Sequence, residues 1–156
     1  MRLREVVQYE SKLDHLFQTV ENIDDFEMQA HWAKYLCVLC SGYMEKSVRL
    51  IYSDYVHKRS SPQISKFVGR KLGGFQNAKV EKIIDLAKTF DDQWANDIDV
   101  SSQGQVKGAI NSIVANRHNI AHGQDTQITV ARIKEWHIES RKLIRIIESH
   151  CGVAAP

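Results

Sequence analysis

The chain has 156 residues, 43% of them hydrophobic and 26% charged, with a formal charge of +2. Those values describe one ordinary globular domain over residues 1–156, with no apolar run near the roughly 18 residues of a membrane span. Near-neutrality neither demands nor excludes nucleic acid, because what matters is where the 21 basic side chains lie.

The first helix is predicted from about Leu3 to Val20, with Leu3, Val6, Val7, Leu13, Phe17 and Val20 on one face. Asn22 to Asp25 supplies turn and N-cap chemistry. A long second helix follows from near Phe26 to near His57, with a broad apolar face that makes it central to the fold. Ser60-Ser61-Pro62 stops it and starts a short helix that ends at Gly73-Gly74. A third long element is expected from Asn77 to Phe90, with Trp94 folding back over its end and a polar loop from Asn96 to Ser102. A further helix runs from Gln103 to Arg117, and the last begins near Thr129. With only two prolines and period-3.6 apolar patterning throughout, the expected fold is an all-α bundle of four to six helices.

The most informative stretch is Arg117-His118-Asn119-Ile120-Ala121-His122-Gly123. Arginine stays charged and offers a fork of donors to phosphate, whereas histidine, with an unperturbed pKa of about 6.5, exchanges a proton near neutrality. Ile110, Ile113 and Arg117 share a stripe, so the arginine continues a core-facing face and must reach out, pair or line a groove. Gly123 and Gln124 then break the helical pattern and place His122 at the helix end. The same spacing also suits a salt-bridged arginine beside a histidine stabilised by the helix dipole.

Other constellations are weaker. His118 and His122 are spaced as zinc ligands, but Asn119 stands where metalloprotease chemistry needs Glu and no third ligand adjoins, so no metal is expected. Cys37-Val-Leu-Cys40 sits inside an apolar helix and reads as buried small residues rather than a redox pair. Gly69-Arg-Lys-Leu-Gly73-Gly74 lacks P-loop spacing, yet Arg70 and Lys71 could hold an RNA backbone, or simply end a helix. Glu45 either forms a surface pair with Arg49 or supports Arg117 from the neighbouring helix. The start of the chain lacks a signal peptide's apolar region, because Glu5, Gln8 and Glu10 interrupt it. Three cysteines make no disulfide framework, so a cytoplasmic, reducing setting is expected.

At Arg117 to Gly123 the chain resembles the HEPN superfamily, whose signature is Arg, a polar residue, three more residues and His. Arg117, His118 and His122 match it position for position. The fuller Arg-x-x-Ile-Ala-His-Gly string, followed by a Thr-capped last helix, resembles the RiboL-PSP type. That resemblance implies metal-independent, cofactor-free endoribonuclease activity, with two protomers joining their motifs in a composite site at a homodimer interface. It implies that Arg117, His118, Asn119 and His122 carry the chemistry, that RNA is the substrate, and that a cognate antitoxin or inhibitor restrains a toxin or defence factor. Toxins controlled by modification of a Tyr two residues after the motif His differ from this chain, which has Gln124 there. The rival reading is a non-catalytic helical dimer that binds RNA, a nucleotide or a protein; a purely structural bundle is the third.

Overall fold

The computed structural model describes residues 1–153, in seven helices and, among those residues, no strand. They are α1 (Arg4–Glu21), α2 (Phe26–His57), α3 (Pro62–Leu72), α4 (Val80–Phe90), α5 (Asp92–Ser102), α6 (Gln105–Ala121) and α7 (Val130–His150). Among the described residues, no helix is long and apolar enough to cross a membrane. The all-α expectation holds, with one helix more than the upper bound of six. The extra element is α5, where a loop is expected from Asn96 to Ser102. Asp91 Oδ1 accepts from the backbone of Gln93 (2.7 Å) and Trp94 (3.1 Å), which caps a new helix directly after α4. Ala95, Ile98 and Ser102 then bury one face of it at i, i+3 and i+7.

Polar contacts set the direction of the long helices. Tyr9 Oη donates to the Leu39 carbonyl (3.0 Å) and Tyr43 Oη to Glu10 (2.6 Å), so α1 and α2 run antiparallel across the turn at 22–25. Ion pairs Arg2–Glu148, Asp14–Arg141 and Glu21–Lys134 step in opposite senses along α1 and α7. α7 therefore runs parallel to α2, and α6, which packs against α7 across the loop at 122–129, runs antiparallel to α2. Cys37 Sγ lies 3.5 Å from the Ile113 carbonyl and sets the level of α6 on α2. One end of the bundle thus gathers the C-termini of α1 and α6 with the N-termini of α2 and α7.

Burial of α2 on several sides explains its broad apolar face: Leu36, Cys37, Cys40, Tyr43, Met44, Val48, Ile51 and Tyr52 are all inaccessible. Cys37 and Cys40 are core side chains, as expected, and burial pushes the Cys37 thiol up to about 12. Glu10, which reads as a polar interruption of the first helix, is instead a buried carboxylate. Arg2 donates to it twice (2.8 and 2.9 Å), and Arg141 and Arg145 lie at 3.4 Å. Burial pushes its pKa up, but the hydrogen bonds from Arg2 and Tyr43 and the charge of Arg141 overcome this and hold it below the usual range. This cluster ties α1, α2 and α7 into one frame, on which α6 is carried.

Candidate functional site

Along α6, Val106, Ile110 and Ile113 are buried, and the same stripe reaches Arg117 in the last turns. A guanidinium there cannot enter the core without a carboxylate partner. Arg117 is half-buried, and its guanidinium makes no hydrogen bond or ion pair with any described residue. Its five donors are available to an anion. Of the three readings open to Arg117, pairing with a carboxylate is not met among the described residues.

α6 continues past Arg117 to Ala121, so the motif forms its final turn, and His122 is the C-cap. Gly123 adopts φ 68°, a left-handed conformation that glycine enters without steric cost. Its N–H donates to the Ile120 carbonyl (3.1 Å), while Gln124 N–H donates to the Asn119 carbonyl (2.9 Å). This pair of bonds is a Schellman motif, and it fixes where His122 leaves the helix. His118 and His122 are exposed and stand one turn apart, with ring centroids separated by 4.4 Å and planes tilted by 55°. Asn119 is half-buried on the same turn. One permanent cation, two neighbouring imidazoles and one carboxamide are thus carried on the last turns of a single helix.

The remaining expected residues lie elsewhere in the chain. Counted from the Cys37–Ile113 contact, Arg117 is level with Ala33, about two turns into α2, and Glu45 lies about 18 Å farther down the bundle axis at 1.5 Å per residue. Glu45 pairs with neither Arg117 nor Arg49. Its Oε1 accepts from the Asn77 N–H (3.0 Å), in a turn where Asn77 takes φ 54° and its backbone needs an acceptor. Arg49 Nη1 instead donates to the Gly73 carbonyl (3.4 Å), which places the α3 end near that part of α2. Arg70 and Lys71, exposed in the last turn of α3, are thus farther still from Arg117 and do not join the motif within one chain. Among the described residues, no three His, Cys, Asp or Glu side chains group as metal ligands.

Sequence reasoning passed over the N-terminal half of α2. Met28, His31, Trp32 and Tyr35 line a shallow depression of about 220 Å³. Tyr35 is 48% exposed and meets the half-buried Trp32 edge to face at 5.5 Å. By the same count these residues lie at about the height of the motif along the bundle axis. Trp32 belongs to the apolar count of α2, but one face of this stretch is left uncovered while Ala33, Leu36 and Cys37 are buried on the other, so the aromatic pair lies at the surface. The available signal was the excess of apolar residues beyond what one buried stripe holds. A wider groove of about 580 Å³ lies between α6 and α7, lined by residues such as Gln105, Ala109, Arg132 and Trp136, and contains no motif residue.

Compared with known proteins, the chain matches no curated protein and no solved structure. The family model described as RiboL-PSP-HEPN matches residues 4–152, which spans all seven helices and the motif. The chain belongs to the RiboL-PSP-HEPN family.

Proposed function

We propose that this protein is a metal-independent endoribonuclease that cleaves single-stranded or loop RNA. The observation that carries the reading is the guanidinium of Arg117, without a partner among the described residues, next in sequence to the exposed His118–His122 pair. Catalysis of transesterification needs charge at the phosphorane and a proton relay, and these side chains supply both. His122 exchanges a proton with the 2′-hydroxyl or the leaving 5′-oxygen. Arg117 neutralises the developing charge on the non-bridging oxygens. His118 and Asn119 orient the phosphate or the neighbouring imidazole. Attack by the 2′-hydroxyl forms the new P–O bond as the 5′-oxygen bond breaks, leaving a 2′,3′-cyclic phosphate.

The motif lies on an open helix end, and a second copy related by a two-fold axis would place two motifs in one composite site. Met28, Tyr35 and Val38, exposed apolar residues of α2 on levels close to the motif, supply an apolar surface for that contact. A homodimer acting in the cytoplasm as a toxin or defence factor, held in check by a cognate antitoxin or inhibitor, is the biological setting this chemistry suits.

The test is incubation with a 2′-hydroxyl-containing oligonucleotide beside its all-deoxy counterpart. Cleavage of the first alone, with a cyclic phosphate terminus, is expected. Wild-type protein that binds RNA without cutting it would replace this reading with the non-catalytic dimer.

A further inference from the structure

The α3–α4 side of the molecule carries a second feature, unrelated to the motif. A groove of about 490 Å³ runs between these helices, with Val68, Leu72, Phe75, Leu86 and Phe90 among its lining. The apolar surface does not stop at its edge. Ile64 is 54% exposed and Phe67 61% exposed, on the same face of α3 as Val68 and Lys71. An amphipathic helix normally turns such a face to the core, but only Leu72 of α3 is fully buried.

The rim of this groove is basic. α3 contains Lys66, Arg70 and Lys71 and no carboxylate. Lys71 Nζ lies 5.7 Å from the Phe67 ring centre, and Lys82 Nζ lies 5.5 Å from that of Phe75, so both cations border the apolar floor. On α4, Glu81 is engaged by Lys107 and Asn111, leaving Asp85 as the one unpaired carboxylate of that helix among the described residues. A second copy docked face to face here would set cations against cations, which disfavours self-association. The stretch from Ile64 to Leu72 is about 12 Å long at 1.5 Å per residue, two turns of helix. That length fits partner anchors at i, i+3 or i+4, and i+7.

We infer that this groove docks an acidic amphipathic helix of a partner polypeptide, with its apolar stripe on Phe67, Leu86 and Phe90 and its carboxylates facing Arg70, Lys71 and Lys82. Because the C-terminal end of α3 lies near Arg49, the docked helix lies away from the Arg117 end. Binding here is independent of whether the motif cuts RNA.

The experiment is selection of a displayed library of helical peptides, with apolar anchors fixed and flanking positions randomised, against the full chain. Selected peptides are expected to be enriched in Asp and Glu at the flanks. Their affinity should fall about tenfold or more on Phe67→Asp and on Lys71→Glu, and weaken several-fold with added salt. Both side chains are exposed, so circular dichroism and melting should match wild type. Several results overturn the proposal: no enrichment, basic or neutral winners, or binding untouched by both variants. So do dimerisation that Phe67→Asp abolishes and capture of the chain by anionic vesicles in place of any peptide.

Discussion

His118 and His122 face one another across the last turn of α6, their ring centres 4.4 Å apart, directly after an arginine that no described residue neutralises. Loss of either reactive element should therefore change chemistry and leave the fold intact. His122→Ala is expected to lower the cleavage rate by roughly 10²–10⁴. Arg117→Ala should cost a comparable factor, and Arg117→Lys should recover part of it, since ammonium lacks the bidentate fork. Melting temperatures measured in parallel should stay within a few degrees of wild type. Full cleavage by both alanine variants would remove the motif from the mechanism.

Gly123 gives a subtler test. An added Cβ there meets nothing within 4 Å, so the penalty of Gly123→Ala is conformational alone, arising from φ 68°. Stability should drop by about 1 kcal/mol in urea titrations. If the Schellman turn positions His122, kcat should fall more than that loss accounts for, while Gly123→Asn, which tolerates the left-handed region, should retain more activity. Equal activity in all three proteins would mean the turn does not set the geometry.

Dimerisation is expected through the surface near the motif. Replacing the exposed Tyr35 by Glu introduces a charge where apolar contact is proposed and should shift the solution mass toward one chain at micromolar concentration. Activity should fall with it, if the site is composite. An active wild-type protein with the mass of one chain would sink the shared-site arrangement.

Cleavage should persist in excess EDTA. The two histidines have Asn119 between them and no third grouped ligand among the described residues. Activity lost to the chelator and restored by zinc or magnesium would reassign His118 and His122 as metal ligands.

Stability should depend on pH through His137, which lies buried between Phe17 and Tyr43, with ring centroids at 5.9 and 5.1 Å and neither nitrogen hydrogen-bonded. Burial, aided by the charge of Arg141, pushes its pKa down to about 4, from an ordinary value of 6.5. Above pH 6.5 both folded and unfolded states hold it neutral. As pH falls, the unfolded chain takes up the proton and the folded chain refuses it until about pH 4. Roughly 3 kcal/mol of stability should therefore be lost across that window. His137→Phe should flatten this part of the profile; an unchanged slope in urea unfolding between pH 7 and 4 would show that other groups dominate.

The helical class, the bounds of α2 and the position of His122 at a helix end were all legible in local pattern. Apolar spacing, Pro62, Thr129 and Gly123 act within a few residues of themselves, and each met its expected role. α5 was hidden because its apolar content is sparse and its start depends on one capping aspartate, Asp91. What only the tertiary structure decided were the partners of charged side chains. Periodicity puts Glu45 and Glu10 on helices, but cannot say that one caps the Asn77 turn while the other is buried among Arg2 and two arginines of α7. Nor can it say that Arg117 lacks a carboxylate among the described residues, or that α3 leaves Phe67 uncovered. A charge pair depends on which helices lie side by side and at what level, and that is fixed by long-range packing rather than by any short stretch of chain.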